Sequence, residues 1–495
     1  MLGAAGVLAA RPRRRSRATW RAITDPADLG VLEARRLLHR RELSSVELTR
    51  ACLRRIEARN GGPPSFDGGP EAVNAWVRLY PAAALRAAAR ADRRLARGSA
   101  RPPLLCGIPV GLKDLYGVRG LPLTASSRVL DGNVATQSSA VWVRLRAAGM
   151  VLVGHTHTHE FGAGATTDQV GNPWQLARSA GGSSGGSAAA LAARMVPAAT
   201  GTDTGGSLRF PAALCGVSAI KPTRGSVPTA ATIPVARRLD HAGPMARTVA
   251  DCAALLRAIG SSARLRRLPL AARGGRRPLR GLTVALTDRL DGRIVDPDVE
   301  DGVERAARAL KRLGAAVVVR PAPRMAGVDD AGYSQIFDTD LWSYHERFVT
   351  RATLYRPTAD LATVTAVVGA GRPDAAAELA REQVTALWAR WFADQRVDLV
   401  LEPTAPWSTA PRGAGYLTGY PALAPLLEFA ALWDATGFPV VALPAGVGSR
   451  GGAPLGVSLV APARREAVAV RAGIELQARG LAPPVPRGLD SRLGG

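Results

Sequence analysis

Ser179–Leu214 reads SAGGSSGGSAAALAARMVPAATGTDTGGSLRFPAAL, two glycine-serine clusters joined by an alanine-rich stretch. Glycine-serine repeats usually make flexible linkers, because they bury nothing and cost entropy to order. Here Leu191, Met195 and Val196 lie between the clusters, and Phe210, Pro211 and Leu214 follow the second. Apolar residues at that density predict a packed segment. The serines therefore sit in ordered structure, and their role has to be found.

The chain has 495 residues, 47% of them hydrophobic, which is ample for a large core. No apolar run reaches the roughly 18 residues of a membrane span. A secretory signal puts charge before its apolar segment. In this chain MLGAAGVLAA comes first and the arginines follow, so export is not expected. Cys52, Cys106, Cys215 and Cys252 are scattered in apolar surroundings without metal-ligand spacing. They read as reduced core residues of a cytoplasmic protein.

A net charge of +25 invites a nucleic-acid partner. Yet only Lys113, Lys221 and Lys311 are lysines, and the arginines are spread over the whole length. The one dense cluster, ARPRRRSRATWR from Ala10 to Arg21, falls in a tail expected to be disordered. With no aromatic-basic module in view, the expectation is no nucleic-acid partner and no membrane. A small-molecule substrate is expected instead, with a homodimer as the assembly entertained.

Beyond the tail, 1–22, strands and helices mix throughout and no repeat is present. Leu29, Leu32, Leu37 and Leu38 form one helical stripe; Val46, Leu48, Leu53 and Ile56 suggest a second helix, with Ser44 and Glu47 as its capping box. GIPVGLKDLYGV and GMVLVGHTH read as buried strands, whereas GNPWQLARSA makes a poor one. The stretch from Tyr333 to Tyr420 holds four tryptophans and reads as a helical layer. One α/β domain over 23–495 is expected.

Three chemistries compete. Gly181-Gly182-Ser183-Ser184-Gly185 satisfies the G-x-S-x-G elbow of an esterase, which needs a strand before it and a histidine after it. In HTHTHE, a strand would put His155, His157 and His159 on one face, enough nitrogen for zinc; a loop whose polar groups serve the backbone is the plainer reading. The third uses lysine as base. Arginine cannot deprotonate, but burial lowers a lysine pKa from roughly 10.4. Lys113 in CGIPVGLKDLYGV and Lys221 in GVSAIKPTRG both qualify, and the census alone does not choose between them.

GIPVGLKD, AGGSSGGSAAALAA, GTDTGGSLRFPAALCG and LDHAGPMARTVAD together resemble the amidase signature family. NPW, LVLEPTAP and TGFPVVALPAG extend the resemblance over nearly everything after the tail. It implies a single α/β/α sandwich around a mixed β-sheet and a Ser–Ser–Lys triad without metal or cofactor. By position it makes the KD lysine, Lys113, the base. Ser183, on a cis peptide, becomes the bridging serine, and Ser207 the nucleophile. Backbone N–H groups of Thr204, Gly205, Gly206 and Ser207 match the oxyanion hole.

So read, the first cluster shuttles protons and the second attacks. A helix is expected near Leu208 with Pro211 in its first turn. Asp114 is expected to point away from Lys113, since a facing carboxylate would raise the lysine pKa. The implied activity is hydrolysis of a carboxylic acid amide through a seryl acyl-enzyme. The rival is a glutamine-hydrolysing component of an aminoacyl-tRNA amidotransferase, releasing ammonia for a misacylated tRNA, and a non-catalytic basic binding protein is the third. Those glutamine-hydrolysing components typically carry Gln where GGSLRFP has Phe210, which argues against glutamine.

Overall fold

The computed structural model describes residues 25–97, 102–293, 296–325, 329–356, 375–413 and 423–486. The arginine-rich segment 1–22 lies outside them, as do parts of the tryptophan-bearing stretch.

The strands are β1 (Trp76–Leu79), β2 (Pro109–Lys113), β3 (Val151–Thr156), β4 (Gly171–Asn172), β5 (Gln175–Ser179), β6 (Ala198–Asp203) and β7 (Ser218–Lys221), then β8 (His241–Ala246), β9 (Thr283–Leu286), β10 (Ala316–Val319), β11 (Leu399–Pro403), β12 (Val440–Val447) and β13 (Pro454–Val460). Eleven of them form one mixed sheet in the order β1-β3-β2-β6-β8-β7-β12-β13-β11-β9-β10. β2 runs parallel to β3 and β6, and β9 parallel to β10 and β11. The centre, from β6 through β8, β7, β12 and β13 to β11, is antiparallel. β2, β6, β7, β8 and β11 are buried at every position. Such strands are covered on both faces, which is why they read as continuous apolar runs rather than alternating ones.

The first two helices are those the periodicity marks. α1 (Val31–Arg40) buries Val31, Ala34, Leu37 and Leu38. α2 (Ser45–Arg59) starts at a complete capping box, Ser44 with Glu47. α3 (Pro81–Ala96) and α4 (Ala140–Ala147) flank the β1–β3 end of the sheet, and α5 (Gly185–Ala192) and α6 (Arg209–Cys215) follow the two serine clusters. The fold is the expected α/β sandwich around a mixed sheet. GNPWQLARSA departs from expectation. It forms the hairpin β4–β5, apart from the main sheet, with Gln175 and Ala177 exposed. An exposed two-stranded ribbon buries too little to leave a clear apolar pattern.

One edge of the sheet collects the polar residues. β2 ends at Lys113, β6 at Asp203 and β7 at Lys221, while antiparallel β8 begins there, with His241 opposite Asp203. Carboxyl ends of strands are where sheets of this class hold ligands.

Candidate active site

Both serine clusters cross this edge as turns leading into helices. At Gly181 φ is +74°, and a Cβ there would press on the Pro211 backbone, so glycine is required. The Gly182–Ser183 peptide is cis. His159 N–H donates to the Ser183 carbonyl at 2.9 Å, and α5 starts two residues later. After β6 the chain turns through Thr204–Ser207 into α6, whose first turn holds Pro211 as expected. Ser184 N–H donates to the Ser207 carbonyl at 3.2 Å, tying the two clusters together.

Lys113 is fully buried, and its Nζ lies 2.7 Å from Ser183 Oγ, 2.8 Å from Thr202 Oγ1 and 3.0 Å from Ser184 Oγ. Burial lowers its pKa to about 7, against the pull of Asp203 and Asp240. A neutral amine has two N–H groups and one lone pair. One of these three hydroxyls must then donate to it, which is the arrangement a base needs. Asp114 does point away. Its Oδ2 accepts from Thr124 Oγ1 at 2.7 Å and Ser126 N at 3.0 Å, and Arg78 lies 3.6 Å from Oδ1. Ser184 Oγ faces Lys113 and also reaches the Thr202 carbonyl at 3.4 Å, and Ser187 Oγ donates to the Thr200 carbonyl at 2.8 Å.

The Thr204–Ser207 loop is held from beneath. Asp203 Oδ1 accepts from Gly206 N at 2.6 Å, and both its oxygens are gripped by Arg209, Nε at 2.8 Å and Nη2 at 3.0 Å. Arg209 is itself buried, bonding Asp434 Oδ2 at 2.6 Å and the Ala430 carbonyl at 3.0 Å. Thr204 Oγ1 donates to Asp240 Oδ1 at 2.6 Å, and burial raises the Asp240 pKa to about 6. The Gly206 N–H is thus occupied. Among the described residues, the N–H groups of Thr204, Gly205 and Ser207 have no protein acceptor.

Thr202, Arg209, Asp240 and Asp434 escaped the sequence reading. The available signal was a charge inside an apolar run, Arg209 in SLRFPAAL and Asp434 in FAALWDATGF. The wall beside the loop is apolar except for one hydroxyl. The Phe210 ring covers Gly206 so closely that a Cβ there would overlap it, the Tyr333 hydroxyl crowds Gly205 as closely, and Leu427 lies a little farther off. Thr202 also lines a chamber of about 230 Å³ of mixed character, with Asp240, His241, Ile233 and Val235.

Only His155 of the three histidines lies on β3, His157 and His159 follow in the loop beyond it, and the three do not converge. His155 sits between Tyr80 Oη at 2.9 Å and the Tyr116 carbonyl, His157 between Ser65 O at 2.9 Å and Ser126 Oγ at 3.1 Å, and His159 beside the Glu160 carbonyl. No group of metal-ligating side chains occurs among the described residues. The four cysteines are buried and free. No helix among the described residues is long and apolar enough to cross a membrane.

A family model described as Amidase matches residues 47–469. The chain belongs to the amidase family. It is 40% identical over 360 residues to the glutamyl-tRNA(Gln) amidotransferase A-type subunit of Ralstonia nicotianae, covering 67% of this chain and 70% of that protein. Against the corresponding protein of Thioalkalivibrio sulfidiphilus it is 35% identical over 467 residues, 87% of this chain and 93% of that one. The solved structure of 6-aminohexanoate cyclic dimer hydrolase with its substrate superposes with a TM-score of 0.78 at 28% identity, covering 94% of this chain and 100% of that one.

These matches overturn one expectation. The partner was to be a small-molecule amide alone, with no nucleic acid and at most a homodimer. The curated relatives are named as one subunit of an enzyme that takes its name from a tRNA. Treating the arginines as evenly spread was a poor guide, because five of them fall within the twelve residues 86–97. Arg86, Arg90, Arg93, Arg94 and Arg97 all stand exposed on or just beyond α3.

Proposed function

We propose that this amidase-family chain hydrolyses a carboxamide with Ser207 as nucleophile, Ser183 as proton bridge and Lys113 as base, and that it serves as the glutamine-hydrolysing subunit of a glutamyl-tRNA(Gln)-type amidotransferase, releasing ammonia from glutamine. The 2.7 Å contact between a buried, pKa-lowered lysine and Ser183 carries the chemical part. Neutral Lys113 takes the Ser183 proton while Ser183 takes that of Ser207, whose Oγ bonds to the amide carbon. The oxyanion draws on the open N–H groups of Thr204, Gly205 and Ser207, and Asp203 holds the loop through Gly206. The proton returns through Ser183 to the nitrogen as the C–N bond breaks and ammonia leaves. Water, deprotonated by the same relay, cleaves the ester and frees the acid.

What supports the amidotransferase reading is the name borne by relatives that span most of the chain. A second reading, a self-standing amidase for an apolar acyl group, is favoured by Phe210, Leu427 and Tyr333 around Gly205 and Gly206. Glutamine brings an ammonium and a carboxylate, and among these three side chains none carries a charge to pair with them, the Tyr333 hydroxyl being the one polar group. The deciding assay is ammonia release from glutamine and from phenylacetamide, with and without the partner subunits and glutamyl-tRNA(Gln). Glutamine turnover stimulated by tRNA and partners supports the amidotransferase. Turnover of phenylacetamide alone, unaffected by them, overturns it in favour of the second reading.

A further inference from the structure

A cleft of about 410 Å³ opens between α3, α4 and the start of β3. It shares no lining residue with the catalytic edge, and it stands independently of the reading of Ser207. Its interior is apolar: Ala83 and Ala87 of α3, Leu121, Trp142 of α4 and Leu152 of β3. Arg90 and Arg94 of α3 and Arg146 of α4 also line it, all three exposed.

None of these guanidiniums pairs with a carboxylate among the described residues. Asp92, the one acid of α3, is taken up instead by the start of α2, accepting from Ser45 N at 2.6 Å and Val46 N at 3.1 Å. Three like charges around one mouth repel each other, and an anion between them relieves that repulsion with charge-assisted hydrogen bonds. An apolar interior of this volume with a few charged groups is the ordinary make-up of a small-ligand site. A bare anion would leave the Trp142 and Leu152 walls wet, and a bare hydrocarbon would leave the arginines unanswered.

We propose that this cleft binds a small amphiphilic anion, an aromatic or alkyl body bearing one carboxylate, sulfonate or phosphate group. The apolar body lies against Ala87, Trp142 and Leu152, and the anionic group reaches Arg90, Arg94 and Arg146.

The test is a fluorescence titration of the full chain with anilinonaphthalene sulfonate, which joins aromatic rings to one sulfonate. A single saturable site is expected, weakened about tenfold or more by Arg90→Glu with Arg94→Glu, which reverses the charge at the mouth. Ala87→Trp, which fills the cleft and leaves the charge alone, should weaken it as much. Amide hydrolysis should be unchanged in both variants, and fluorophosphonate treatment of the active site should leave probe binding intact. Hexyl phosphate should displace the probe, and inorganic phosphate should do so far less. The proposal is overturned by absence of saturable binding, by binding equal in the variants, or by loss of binding after fluorophosphonate. Displacement by inorganic phosphate or polyuridylate as effective as that by hexyl phosphate also overturns it, since the arginines would then be a plain phosphate or RNA surface.

Discussion

Lys113 and Lys221 stand at the same edge of one sheet, both fully buried, both with a pKa lowered to about 7 by burial. By charge and burial they are twins. Their contacts separate them. Lys113 Nζ meets three hydroxyls within 3.0 Å, two of them in the first serine cluster. Among the described residues, Lys221 Nζ reaches only the Pro222 carbonyl, at 3.5 Å, and feels the charges of Asp434, Arg209, Asp203 and Arg224 without bonding them. A lowered pKa makes a base available; a hydroxyl chain makes it useful.

The largest expected effect follows directly. Lys113→Arg keeps a positive charge and removes the amine that takes the proton from Ser183, so kcat should fall by about 10³-fold or more. Lys113→Ala should be equally inactive while remaining folded by circular dichroism. Lys221→Met should stay within about tenfold of the parent, because no reacting atom is in reach of its Nζ. Equal losses in the two lysine variants, measured as amide turnover, would erase the distinction.

A second expected effect concerns what stands between the lysines. Asp203, Arg209 and Asp434 form a buried ionic chain in which Arg209 bonds both acids. Arg209→Lys removes the planar fork and leaves buried carboxylate oxygens without donors, at a cost of about 3–5 kcal/mol by denaturant titration. Since Asp203 also holds the Gly206 N–H, turnover should fall more than substrate affinity. A variant as stable and active as the parent would show that this chain does not hold the loop.

How much of this could be read beforehand depends on the range of the signal. GIPVGLKD and GMVLVGHTH gave away their strands because buried strands are continuously apolar, and Ser44 with Glu47 marked a helix start because capping is local. The clusters around Ser183 and Ser207 carried a family's pattern in adjacent residues. The lysine choice was open on the residues alone, since Thr202 and Ser184 reach Lys113 only through the pairing of β2 with β6 and the position of α5. Asp434 lies 225 residues from Arg209 along the chain, so nothing local marked their pairing. The nucleic-acid question failed for a different reason: the arginines of 86–97 were legible as a local run and were counted as part of an even spread.

The pH profile offers a sharper test of the pair. Lys113 must be neutral to accept a proton, and its pKa is about 7. kcat/KM should therefore climb about tenfold per pH unit below 7 and level off above it. Lys221→Met should leave that inflection in place even though Lys221 titrates in the same range. If the inflection vanished with Lys221, the assignment of the two lysines would have to be exchanged.

The smallest effect is one of stability, and it tells Lys221 apart by sign. Its folded pKa, about 7, lies below its ordinary value of 10.5. Between those values the unfolded chain binds the proton and the native protein does not, so stability rises with pH across that window. Above 10.5 the penalty is absent; it grows as pH falls and is complete below about 7. Lys221→Met removes the titrating group and keeps a flexible apolar stem in the space. It should therefore stabilise the protein by about 1–4 kcal/mol at pH 6. The gain should shrink as pH approaches 10. Urea titrations at pH 6, 8 and 10 would measure it. A variant less stable than the parent at pH 6 would mean that the long-range pull of Asp434 and Asp203 outweighs desolvation. Lys221 would then be a working member of the ionic chain, and the difference between the two lysines would rest on Lys113 alone.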